Sequence, residues 1–207
     1  MNNSSSSKLI EEAVDQMSSL PGIGRKTALR LVLNLLERET HEIDRFSNAF
    51  TKLKAQIKFC KKCRNISDEQ LCSICNSKSR DQSQICVVQD IRDILAIEST
   101  SQYFGVYHVL GGVISPMDGI GPNDLNISSL IERAEEKALK EVIIALKGNM
   151  EGETTGFYLF RKLDPLNIKV TTIARGIAVG DDLEYADEIS LGRSITNRSP
   201  YSDSMAK

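Results

Sequence analysis

The chain has no stretch of eighteen apolar residues, so it offers no candidate for a bilayer-crossing helix. Its opening residues, MNNSSSSK, lack the apolar run of a secretory signal. The expectation is a cytoplasmic protein with a frayed tail over residues 1–7. Net charge is also nearly missing. The 26 Lys/Arg are set against 28 Asp/Glu, a balance of −2 that argues against a generic nucleic-acid binder. No internal repeat is found, which excludes a solenoid or blade array.

The balance conceals a split. Residues 1–64 carry 12 basic and 7 acidic side chains, whereas residues 65–207 carry 14 and 21. From Arg45 to Arg64 there are seven basic residues and no acid. A basic module attached to an acidic one follows, unless the lysines merely solvate a helix face.

Helical periodicity runs through residues 8–58. Leu9, Ile10, Ala13, Val14 and Met17 form one stripe, then Ala28, Leu31, Val32 and Leu35, then Ile43, Phe46, Phe50, Leu53 and Ile57. The spacing predicts helices over 8–19, 25–37 and 42–58, a small bundle. The polar stretch 76–84, NSKSRDQSQ, reads as a linker. Beyond it, apolar runs at 85–89, 106–110, 141–146 and 168–174 alternate with helical segments after 90, at 127–139 and at 154–163. Continuous apolar strands between helices predict a mostly parallel α/β sheet covered on both faces.

Three clusters carry chemistry. The first is LPGIGRKTALR, residues 20–30. Gly22 and Gly24 permit a tight turn between helices. The amides of the next helix's first turn then face outward, as an anion requires. Lys26 and Arg30 lie one turn apart on that helix and suit neighbouring phosphates. The pattern resembles a helix-hairpin-helix motif, although a plain helical hairpin would use the same glycines.

The second cluster is CKKCRNISDEQLCSIC. Cys60, Cys63, Cys72 and Cys75 form two C-x-x-C pairs, sufficient for a closed, structural Zn²⁺ site. An iron–sulfur cluster would use the same ligands. Cys86 opens an apolar strand and reads as core.

The third cluster lies at two strand ends, VVQDIRD and LKGNMEGE, where acids could gather. This order of strands and acids resembles a Toprim domain. Active Toprim members carry a glutamate after the first strand and D-x-D after the third. Here Gln89 followed by Asp90 occupies the first place, and Lys147 and Asn149 stand where the two aspartates would be. Asn and Lys hold Mg²⁺ poorly or not at all, so Mg²⁺ is not expected. The acidic segment 174–195, ARGIAVGDDLEYADEISLGRSI, shows no base–nucleophile pairing and reads as a surface loop leading to a last helix.

Taken in order, with YHVLGGVISPMDGIGP at 107–122, these features resemble the RecR family of bacterial recombination mediators from about residue 8 to 200. The family's usual NPTVEGE is altered here at Lys147, Gly148 and Asn149. The resemblance implies a helix-hairpin-helix DNA-binding domain (8–58), a four-cysteine zinc finger (59–77), a Toprim domain (84–166) and a C-terminal segment used in oligomerisation (167–207). It implies one structural zinc ion on Cys60, Cys63, Cys72 and Cys75. DNA contact would fall to Gly22, Gly24, Lys26 and Arg30, and partner contact to Glu151 and Glu153. It implies no enzyme. The expected molecule is a ring-like homo-oligomer, taken as a tetramer, that binds single- and double-stranded DNA at the nucleoid. With RecO, and in many bacteria RecF, it would load RecA onto single-stranded DNA at gaps. The alternative is a Toprim-type metal-dependent nuclease or topoisomerase, which the missing acids disfavour.

Overall fold

The computed structural model describes residues 7–136 and 139–202, so most of the expected N-terminal tail lies outside the described residues. The chain divides into two units, residues 1–57 and 58–207.

The first unit holds α1 (Lys8–Ser18), α2 (Arg25–Leu36) and α3 (Thr40–Gln56). Helices α1 and α2 pack through Val14, Ala28 and Val32, flanked by Ile10, Ala13, Met17 and Ile23. Two positions expected on the inward stripes are exposed, Leu9 at 78% and Leu31 at 37%. The α1–α2 contact is narrow, and a residue one step off its line faces solvent. Helix α3 buries no residue at all. Its expected inward side chains Phe46, Phe50 and Leu53 are exposed, the two rings meeting edge to face at 5.1 Å. Its periodicity is real, but no described residue of this unit covers the face.

The second unit opens on a small hairpin, β1 (Lys58–Phe59) antiparallel to β2 (Ile66–Ser67), followed by the short α4 (Ser73–Asn76). The main sheet follows. Its strands β3 (Asp81–Val88), β4 (Gly105–Val109), β5 (Glu141–Ala145) and β6 (Lys169–Thr172) lie in the order β4-β3-β5-β6, all parallel. The mixed α/β class and the parallel sheet are as the sequence implies. Part of the expected linker, Asp81–Gln84, is instead the polar first half of β3. The ladder reaches there from β4 and β5, and pairing overrides composition.

Alternation along β3 sends Ile85 and Val87 to one face and Cys86 and Val88 to the other. The first face packs on α6 (Ile127–Ala134) and α7 (Met150–Leu163) through Leu130, Leu159 and Leu163. The second packs on α5 (Ile91–Ser99) through Ile94. Helix α6 stops at Ala134, short of the expected 139. Helix α7 begins at Met150, not 154, because the Asn149 side chain accepts from the Gly152 amide and caps it. Residues 150–153, expected as loop, are therefore its first turn. The C-terminal segment carries α8 (Glu188–Thr196), capped by Asp187.

Candidate nucleic-acid interface and metal centre

The α1–α2 turn is built around Gly22, whose φ of +82° lies in the left-handed region that side chains avoid. Gly24 differs. Its φ is −76°, and a Cβ there would meet no atom within 4 Å. Gly24 is the N-cap of α2 and supplies no side-chain acceptor, so the first-turn amides remain available to an outside anion. The open space beside Gly24 lets one approach.

The cations sort into two groups. Arg25 pairs with Asp15 of α1 and ties the two helices together. Lys26 and Arg30 are exposed, and among the described residues neither has an ion-pair partner. Both line a groove of about 550 Å³ along α2, with Leu29, Leu33 and Asn34. The structure thus brings Lys26 and Arg30 to one groove, with Gly24 at the N-terminus of the same helix and Gly22 in the turn itself.

In the second unit, Cys60, Cys63, Cys72 and Cys75 converge, all buried, with their sulfurs within 4.8 Å of one another. Two turns achieve this. Arg64 adopts a left-handed φ of 63°, its amide donates to the Cys60 carbonyl at 2.9 Å, and Cys60 N–H donates to Asn65 O at 2.7 Å. Helix α4 then carries Cys75 one turn beyond its cap, Cys72. The Cys72 amide donates to Cys60 Sγ at 3.3 Å, and the Cys75 amide to Cys72 Sγ at 3.4 Å. Such donors stabilise thiolates. Without metal the sulfurs compete for protons. Cys63 is pushed up by its contacts with Cys72 and Cys75 and by burial, whereas Cys72 is pushed down by its contacts with Cys63 and Cys75.

The donor set fits Zn²⁺. Bonds of about 2.3 Å in a tetrahedron place sulfurs about 3.8 Å apart, close to the 3.5 Å between Cys63 and Cys72. Four sulfurs leave no open position, so the ion is structural. Cys86, 3% exposed with its thiol pushed up to about 12 by burial, stands in the sheet core.

The strand ends expected to gather acids use them otherwise. Asp93 accepts from the backbone of Gln89 and Asp90, and Asp90 caps α5 and pairs with Arg92. The bonded Arg92 holds Asp90 below the usual carboxylate range. On α7, Glu153 pairs with Arg175 and, at 3.7 Å, with Arg193 of α8. Glu151 is half-buried. Gly152 between them is required, since a Cβ would lie 2.1 Å from the Lys147 carbonyl oxygen.

Sequence reasoning missed a buried polar pair, Arg133 and His108. Arg133 of α6, 7% exposed, donates from Nη1 to Tyr107 O at 2.9 Å and to His108 Nδ1 at 3.0 Å. His108, fully buried, donates from Nε2 to Asn126 O at 2.8 Å. Burial pushes the imidazole down to about 4, so it is neutral, and its two bonds fix the tautomer. A charged residue on the apolar stripe of ISSLIERA was the available signal.

The two units and their sites define a helical hairpin joined to a zinc-bearing Toprim-type α/β sheet. Family models match in the same order. They are the RecR helix-hairpin-helix over residues 10–54, the RecR four-cysteine zinc finger domain over 57–77, the Toprim domain over 83–174 and the RecR C-terminal model over 176–199. Curated relatives match nearly end to end. Recombination protein RecR of Bacteroides thetaiotaomicron is 57% identical over 201 residues, 97% of this chain and 98% of that protein. RecR of Porphyromonas gingivalis strain W83 is 58% identical over 200 residues, 97% of each. RecR of Flavobacterium johnsoniae is 55% identical over 196 residues, 95% of each. The chain belongs to the RecR family, and its four-cysteine centre is a structural zinc site.

Proposed function

We propose that the protein is a non-enzymatic, DNA-binding recombination mediator. It binds single- and double-stranded DNA as a ring-like oligomer and acts with RecO, and RecF where present, to load RecA at gaps. The observation that carries this reading is the α2 N-terminus. Its amides have no side-chain cap, the space at Gly24 is open, and Lys26 and Arg30 are exposed on one groove with no ion-pair partner among the described residues. Such contacts follow the phosphate backbone and ignore sequence.

Self-association has its own support. Exposed Phe46 and Phe50 of α3 line an apolar groove of about 720 Å³ with Leu9, Leu36 and Ile43. That face suits a second copy and would set several α2 cationic faces around one duplex. Glu151 and the ion-paired Glu153 remain the proposed partner face.

The alternative metal-dependent Toprim enzyme is disfavoured by the strand ends. Asp90 and Asp93 are spent on capping α5, and Asn149 caps α7. Lys147 brings a cation close enough to Asp90 to help lower its pKa.

A salt titration of DNA binding, wild type against Lys26→Ala/Arg30→Ala with zinc content confirmed, tests the reading. The double variant should lose affinity and flatten the salt slope by about one per lost phosphate contact. Equal binding by both proteins would leave the hairpin structural and favour a protein-only adaptor.

A further inference from the structure

Arg133 is a full cation buried in the wall between two faces of the second unit, and among the described residues it has no ion-pair partner. Nε is one of two buried side-chain polar atoms there that lack a hydrogen-bond partner. The groups that do bond it, the Tyr107 carbonyl and His108, are neutral. An uncompensated guanidinium in such a place is strongly unfavourable.

The zinc module lies against the same wall. Val109, next to His108 on β4, donates its amide to the Cys63 carbonyl at 2.8 Å. Ile74, between the ligands Cys72 and Cys75, packs against both sheet faces as well as the cysteines. Four thiolates around Zn²⁺ carry a net charge of −2. That centre, like Arg133, is shut off from water, so each removes part of the cost of burying the other. We propose that Arg133 is the internal counter-cation of the zinc tetrathiolate, held in place by β4 and His108 so that α6 and the metal module stabilise one another. Burial works against the charge on Arg133, and Cys75 and Cys63, as thiolates on a metal, would favour it.

Zinc retention against a chromophoric chelator tests this in the full-length protein. Wild type is compared with Arg133→Met, which keeps the bulk without the charge, with Arg133→Lys, and with Leu130→Ala. The last removes core volume one turn earlier on α6 without touching charge. Arg133→Met should lose zinc affinity at least tenfold, the scale on which groups behind metal ligands act, while Leu130→Ala retains wild-type affinity at equal or greater loss of thermal stability. Arg133→Lys should stay within about threefold. Equal retention by Arg133→Met and Leu130→Ala overturns the proposal. If Arg133→Met gives no folded protein, Arg133→Lys decides, since a tenfold loss with the charge preserved also overturns it.

Discussion

The backbone amide of Val109, the last residue of β4, donates to the carbonyl of Cys63 in the zinc module at 2.8 Å. An edge strand of the main sheet thus ends on the metal site. All five residues of β4 are buried although, among the described residues, the strand pairs on one side only, with β3. Zinc removal should therefore disturb the sheet and not the finger alone. Chelation, or Cys72→Ser, is expected to lower the melting temperature of the second unit and to speed hydrogen exchange at Val109 above all. Unchanged exchange at Val109 in zinc-free protein would show the module to be independent.

The two turn glycines should separate in their effects. Gly22→Ala forces a side chain into the left-handed region, at a cost of about 1–2 kcal/mol. Gly24→Ala has ordinary backbone angles and open space, and should cost about 0.5 kcal/mol through the poorer cap. Its methyl group, however, occupies the approach of a phosphate, so DNA affinity should fall several-fold. Melting curves with fluorescence anisotropy check both. If Gly24→Ala binds DNA like wild type, the turn's backbone is not where DNA sits.

His108 gives the fold a pH dependence of known sign. Its pKa is about 4 when folded and near 6.5 when free. Above pH 6.5 both states are neutral and the group is silent. As pH falls from 6.5 to 4, the unfolded chain takes up a proton that the folded one refuses, and stability drops by about 3 kcal/mol at most. His108→Gln can donate to Asn126 and accept from Arg133 without titrating. Denaturant titrations should show a shallower loss for the variant across that window. Parallel curves for the two proteins would remove His108 from the account.

Gly152→Ala should be among the most damaging single changes in the second unit. The added carbon would sit 2.1 Å from the Lys147 carbonyl oxygen, which is backbone and cannot swing aside. We expect a cost of about 3 kcal/mol, an overpacking penalty at the upper end, with displacement of the first turn of α7. Chemical denaturation measures it, and a loss below about 1 kcal/mol would contradict the geometry.

Much of this was legible in the chain. The four apolar runs became four parallel strands because a strand covered on both faces needs no polar alternation. The paired C-x-x-C spacing gave the metal site directly. The α7 start was missed although Asn149 is a favoured cap, because the glycine and the acids after it resemble a loop. The face of α3 was read correctly as apolar and wrongly as inward, since periodicity reports that a face is apolar and not what covers it. The polar opening of β3 was hidden because its partners are remote in sequence. Arg25 could not be told from Lys26 by spacing, as its partner Asp15 belongs to another helix.

Ile74 has a consequence for synthesis. It is translated between two metal ligands, yet it packs against core clusters built from strands that follow it in the chain, and its helix meets β4. The contact from Val109 to Cys63 spans 46 residues. On the ribosome, all four cysteines therefore emerge well before the strands that shelter them. The four ligands are thus exposed to metal before the sheet that shelters them has been made.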